Sequence, residues 1–294
     1  MALLNPLHLK TLVAIGDTNK KGKFLCGATG FLVGFIAKNS KDPVKRSYYL
    51  FLVTNRHVFE NKGHVYLRFN KHDGKTEIFQ QGLFFPNNEP RWLAHQNKKV
   101  DLALLNVSPQ VLQEKNIDFV FFNEELFAYH NHFARLGIAV GDEVYILGFP
   151  LGIAGDIQNF PYVKEGIISR FDKELVRKNK ALLIDSSIFP GNSGGPVVLK
   201  PTNTALSNTR AVSSTYLLGV VSGYLFYKEE LWTHQTNPPS VVSLERENSG
   251  LSFVVPIDFV RQIFKRWIME KKRIEKAQKQ ERPQQLGQEI KTSI

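Results

Sequence analysis

Every apolar run in this chain is short. The segment "YYLFLV" at Tyr48 to Val53 is the length of a strand, and no run approaches the roughly 18 to 20 residues that cross a bilayer. Several segments also alternate. "HVYLRFN" puts Val65, Leu67 and Phe69 on one face, and "DEVYILGF" does the same with Val144 and Ile146, the period of a half-buried strand. Turn signals such as "NKKGK", "KHDGK", "PNNEP" and "FPGNSGG" recur between these segments, and no sustained helical period precedes about residue 256. The pattern predicts an all-β fold, a barrel or sandwich and not a βαβ unit.

Composition narrows the setting. With 294 residues, 43% apolar and 12% aromatic, the chain can bury a sizeable core as one large domain or two small ones. A net charge of +11 favours acidic partners or surfaces without identifying one. Cys26 stands alone, so no intrachain disulfide is available, which suits a reducing compartment. The start, "MALLNPLHLK", lacks a basic front and is interrupted by Pro6, His8 and Lys10, a poor secretory signal. These features predict a soluble, cytoplasmic protein with no membrane association.

The C-terminus departs from the β pattern. Phe259, Val260, Ile263, Phe264, Trp267 and Ile268 recur at helical spacing after Pro256, and predict one amphipathic helix docked on the core. Beyond it the chain turns charged and Gln-rich, with nine basic and four acidic residues between positions 265 and 294. Its end is expected to fray.

One stretch carries more backbone freedom than a turn needs. "SSIFPGNSGGPVV", residues 186–198, sets Gly191, Gly194 and Gly195 around Ser193. A serine hydroxyl attacks a carbonyl only when a base takes its proton and donors await the oxyanion. Glycine permits both, since Gly191 can turn its N–H toward the same point as that of Ser193. "LFLVTNRHVFE" offers the base, His57, at the end of an apolar strand, and "KKVDLALLNV" offers a carboxylate, Asp101, at the head of another. Taken singly, each is an ordinary residue: a glycine turn, a packed or surface histidine, a turn aspartate.

Taken together, their order and local sequences resemble the chymotrypsin-like (trypsin-fold) serine peptidases, and most of all the protease domain of bacterial HtrA/Deg-type enzymes. The signatures "TNRHV", "DLALL" and "GNSGGP" carry the resemblance, with echoes in "GATGFLVG", "GDEVYILGFPLG", "KEGIISR", "LLGVVSG" and "GLSFVVPID". It runs from about residue 24 to 262. The resemblance implies two six-stranded antiparallel β-barrels, 1–135 with the crossover segment and 136–262, followed by a basic helix and tail, 263–294. It implies Ser193 as nucleophile, His57 as general base then acid, Asp101 as the group that orients the imidazole, and the N–H groups of Gly191 and Ser193 as the oxyanion hole. The reaction implied is peptide hydrolysis through an acyl-enzyme, on a protein or peptide substrate, with no cofactor and no metal.

Departures from the family pattern add expectations. Asn192 stands where secreted members place an aspartate that pairs with a new N-terminal ammonium, so activity without N-terminal processing is expected. Counting six back from the nucleophile puts Ser187 at the base of the S1 pocket, with Ser222, Gly223 and Gly250 along its walls. A small neutral base implies cleavage after uncharged residues, while Tyr224 and residues 226–247 bear on pocket size. Ser222 is open to two roles, a bond to Asp101 or a strand serine satisfied by backbone.

A PDZ domain, which HtrA enzymes carry after the protease, is not expected here. In this fold the Gly191 peptide can also flip away until an activating protein partner rearranges the loop. A rival reading keeps the protease fold as a latent or inactive basic binding module. Nucleic acid is not expected as a partner, because basic stretches such as "RFDKELVRKNK" are broken by acids and lack interleaved aromatics. No metal motif occurs, and His130 and His132 form an isolated pair.

Overall fold

The computed structural model describes residues 4–42, 45–202, 211–212, 214–233 and 240–289, without the side chains of 231–242, 244 and 277–289. The first half of the chain folds into an eight-stranded sheet. Its strands are β1 (Leu12–Thr18), β2 (Phe24–Lys38), β3 (Ser47–Thr54), β4 (His64–Asn70), β5 (Thr76–Gly82), β6 (Trp92–Ala94), β7 (Ala103–Val107) and β8 (Phe122–Asn123). They run in the order β5-β4-β1-β2-β3-β7-β6, with β8 added to β2. The second half closes a barrel, β10-β11-β14-β13-β12-β9, from β9 (Glu143–Gly148), β10 (Tyr162–Arg170), β11 (Leu182–Asp185), β12 (Pro196–Leu199), β13 (Leu217–Thr233) and β14 (Ser240–Pro256).

Alternation in sequence becomes burial in space. Val65, Leu67 and Phe69 on β4 are 2%, 3% and 4% exposed, and with Leu32, Leu50 and Phe59 they fill the first half's interior. Val144 and Ile146 on β9 join Ile184, Val197 and Val254 inside the second barrel. A third cluster joins Phe31 and Phe35 of β2 to Leu147, Val220 and Val260, and so welds the two halves.

The first half corrects the expectation of a closed six-stranded barrel. Among the described residues the segments that follow β5 and precede β6 meet through the Phe84–Pro90 bridge and its two flanking bonds, Phe85 N–H to the Glu89 carbonyl at 2.8 Å and Arg91 N–H to the Leu83 carbonyl at 2.9 Å. The contact is a hairpin turned at "PNNEP", and β6, three residues long, pairs with β7 alone in the sheet.

Short helices fill connections: α1 (Arg56–Phe59) after β3, α2 (Pro109–Glu114) and α3 (Phe133–Leu136) in the crossover between the halves, and α4 (Lys173–Asn179) before β11. The last element, α5 (Ile257–Glu289), begins right after Pro256 and docks by its aromatic face. Phe264 stacks on Phe35 with centroids 3.9 Å apart, and Trp267 meets Phe51 edge-on at 5.2 Å. Its backbone stays helical to Glu289, further than a frayed tail would, in keeping with its Glu, Lys, Gln and Arg content. Residues 290–294 lie outside the described residues. No helix among the described residues is long and apolar enough to cross a membrane.

Candidate active site

His57 takes its position from its neighbours. β3 ends at Thr54, Asn55 stays extended, and α1 turns so that Val58 and Phe59 are buried. With those two side chains anchored, the imidazole faces outward and is 51% exposed. Asp101 is placed by the same logic, between Val100 and Leu102, both wholly buried. The Asn55 side-chain amide fixes its backbone by donating to the Asp101 carbonyl at 2.8 Å.

The two residues meet twice. Asp101 Oδ2 lies 2.7 Å from His57 Nδ1, and Asp101 Oδ1 accepts the His57 backbone N–H at 3.1 Å. An ionised carboxylate only accepts, so the proton on this side of the ring sits on Nδ1 and Nε2 is left as the basic nitrogen.

Ser193 sits in the connection between β11 and β12. Gly194 has φ +84°, and a Cβ there would lie 2.1 Å from the Thr29 carbonyl oxygen and 2.2 Å from Thr54 Oγ1. The serine loop is thereby pressed against the strand end from which His57 departs. Gly191 has φ +98°, and a Cβ there would stand 2.2 Å from the Phe149 carbonyl oxygen. Only glycine suits such a backbone at such range.

Hydrogen bonds fix how the peptides of this loop face. The Pro190 carbonyl accepts from Leu151 N–H at 2.6 Å, and the Asn192 carbonyl accepts from Gly195 N–H at 2.9 Å. In a trans peptide the N–H points opposite to its carbonyl. The N–H groups of Gly191 and Ser193 therefore face away from Leu151 and Gly195, and neither donates to a group among the described residues. The Gly191 carbonyl accepts from Thr29 Oγ1 at 2.6 Å, and that of Ser193 from Thr29 N–H at 2.9 Å. The Ser193 hydroxyl makes no hydrogen bond among the described residues.

Of the expected pocket residues, Ser187 and Gly250 come together: a Cβ on Gly250 would lie 3.8 Å from Ser187 Oγ. Gly223 pairs with Phe253 across the β13–β14 ladder, and Tyr224 with Ser252. Ser222, in the irregularity between Val221 and Gly223, donates its hydroxyl to the Phe253 carbonyl at 3.5 Å. Of the two roles open to it, this is the backbone one. Asn192 is 1% exposed, a site for a neutral side chain. Residues 234–239, within the 226–247 segment, fall outside the described residues.

Sequence reasoning missed four residues here. Thr29 and Leu151 hold the serine loop as described. Asp185 Oδ1 lies 3.8 Å from the place of a Gly250 Cβ, and the Lys164 ammonium donates to the Ser187 carbonyl while lying 4.7 Å above the Phe189 ring. Burial lowers the pKa of Lys164. A threonine set inside the apolar "GATGFLVG" is the only sequence signal for Thr29, and it does not name the partner. Leu151 gave none, because leucine seldom takes its left-handed φ of 57°.

Cys26 is a free thiol whose proton goes to the Ala28 carbonyl. Burial pushes its pKa up to about 11, the opposite of an activated cysteine. Among the described residues no three His, Cys, Asp or Glu side chains converge as a metal site would need.

The trypsin-like peptidase domain family matches residues 28–204. The serine protease DegP homolog of Plasmodium falciparum is 30% identical over 153 residues, 51% of this chain, and the match spans only 14% of that relative's length. Among solved structures, the MamO protease domain of Magnetospirillum magneticum aligns with TM-score 0.48 at 14% identity, covering 88% of this chain and 98% of that one. Human heparin binding protein aligns with TM-score 0.45 at 13% identity, covering 91% and 93%.

Proposed function

The chain belongs to the trypsin-like peptidase family, and on that footing we propose that it is a serine endopeptidase working through Ser193, His57 and Asp101. The observation that carries this reading is the double hold of Asp101 on His57, through ring and backbone together. A carboxylate so placed commits the Nδ1 proton and frees Nε2 as a base. His57 Nε2 takes the Ser193 proton as Oγ attacks the scissile carbonyl, and the imidazolium that forms is stabilised by Asp101. The N–H groups of Gly191 and Ser193 donate to the developing oxyanion. The imidazolium then gives its proton to the leaving amine, and the acyl-enzyme on Ser193 is hydrolysed by a water that His57 activates in turn. The free Ser193 hydroxyl is compatible with this sequence, since catalytic hydrogen bonds tighten when substrate binds.

The preferred substrate is a peptide with an uncharged P1 residue. Ser187 offers a hydroxyl at the pocket base, and the two charges beside it, Lys164 and Asp185, are of opposite sign, so neither a basic nor an acidic P1 side chain finds a net counter-charge.

Incubation with an unfolded protein such as casein tests the proposal, with the cleavage sites read by mass spectrometry. Cuts after uncharged residues that vanish in Ser193→Ala support it. Cuts that persist in Ser193→Ala overturn the catalytic assignment, and a dominant basic or acidic P1 residue overturns the pocket assignment alone.

A further inference from the structure

A cavity of about 740 Å³ lies between α5 and the edge strand β6. Arg56, His95 and Lys98 line one side and Arg266, Trp267 and Glu270 the other, with Trp92 between. Its first wall is made of residues that lead into the two groups of the candidate site: Arg56 directly precedes His57, and residues 95–98 lead to Asp101.

The cavity's chemistry is specific. Three donor atoms on two lining residues, Arg56 Nε and Nη1 and Trp92 Nε1, are buried and have no acceptor among the described residues. Arg56 Nε does lie 3.1 Å from Glu60 Oε1, close enough for ion pairing but not aligned as a hydrogen bond. Lys98 has no acidic partner among the described residues. Arg266 is paired with Glu270 at 3.1 Å on its own helix, and His95 is joined to Gln262 at 3.0 Å. Glu89 is the one other carboxylate on the lining. Those three atoms are closed off from solvent and lie behind the cavity surface; the ligand-facing chemistry is the lining charge, in which Arg56, Lys98 and Arg266 stand against Glu89 and Glu270. A lining with a surplus of cations, one of them an unpaired ammonium, favours an oxyanion.

Size and apolar content define the rest of the ligand. A lone inorganic ion occupies a small part of such a volume, which is of the order typical for small organic ligands. Trp92 and Trp267 supply ring surface for an apolar body. We infer that this cavity is a binding site for a small organic anion, a carboxylate or phosphate carried on an aromatic or apolar group. The site is separate from the peptide cleft and stands whether or not Ser193 is a nucleophile.

Calorimetric titration of the full chain tests the inference, with phenyl phosphate as probe and inorganic phosphate and phenol as its two halves. Saturable binding of phenyl phosphate, tighter than either half, is expected. The double variant Lys98→Gln/Arg266→Gln should weaken it by about tenfold or more, as loss of charge-assisted contacts does, and Glu89→Gln should tighten it by removing a like charge. Both positions of the double variant are exposed, so its circular dichroism and thermal midpoint should match wild type. Absence of saturable binding, equal binding of phenol or of phosphate alone, or unchanged affinity in the double variant overturns the assignment.

Discussion

Thr29 of the first half gives its hydroxyl proton to the carbonyl of Gly191 in the second, at 2.6 Å. The Thr29 hydroxyl oxygen also accepts the Phe149 N–H at 3.1 Å, so one buried side chain sets both the serine loop and the segment it packs on. Thr29→Val keeps the shape and removes both bonds. Two buried backbone groups are then left unpaired, at about 1–3 kcal/mol each. Denaturant unfolding should show a total loss of about 2–6 kcal/mol. Labelling of Ser193 by a fluorophosphonate should slow by about 100-fold, the scale of one lost oxyanion donor. A variant that labels at the wild-type rate would show that Thr29 does not hold the loop.

Asn192 is neutral in a site that is 1% exposed. Asn192→Asp puts a carboxylate there with no cation among its hydrogen-bonded neighbours, and an uncompensated buried charge costs about 3–5 kcal/mol. Burial raises the folded-state pKa of such a group above its unfolded value. The penalty is therefore absent at low pH, where the carboxyl is protonated in both states, and grows as pH rises through the unfolded value of about 4. Thermal midpoints of the variant should approach wild type in acid and fall below it at neutral pH. A variant as stable as wild type at pH 7 would contradict this reading of the site.

Asp101→Asn preserves size and removes the charge that commits the Nδ1 proton of His57. The turnover number should drop by about 10⁴-fold at neutral pH, because the ring is then free to hold the wrong tautomer. Turnover within tenfold of wild type would mean that Asp101 is not the supporting carboxylate.

His8 gives a pH-dependent contribution to stability. It is 9% exposed, lies 4.9 Å from the Phe122 ring and has no acceptor for Nδ1 among the described residues. Burial lowers its pKa below 6.5, so the unfolded chain binds this proton more readily than the folded one. Stability should fall as pH drops through about 6.5 and level off below the folded value. His8→Phe should flatten that part of the unfolding profile, and an unchanged profile would place the titration elsewhere.

Much of this fold is legible in local sequence. Val65, Leu67 and Phe69 alternate and are all buried; Phe264 and Trp267 recur at helical spacing and dock on Phe35 and Phe51. His57 and Asp101 each follow from a short run of buried neighbours, and they meet at 2.7 Å. What stayed hidden depends on contacts far apart in sequence. Thr29 bonds Gly191 across 162 positions, a relation no window of residues contains. Leu151 adopts a left-handed backbone against its own propensity because its N–H holds the Pro190 carbonyl. The incomplete closure of the first sheet depends on which partner the three-residue strand β6 finds, and that register is set only by the folded chain.

The central claim is that Ser193 is an activated nucleophile. Wild-type protein and Ser193→Ala, treated with a fluorophosphonate at neutral pH and digested, answer it by the mass of the peptide that contains residue 193. The account predicts a covalent adduct on Ser193 in the wild type and none in the variant. Wild-type protein that carries no adduct, or a variant labelled to the same extent, would contradict it.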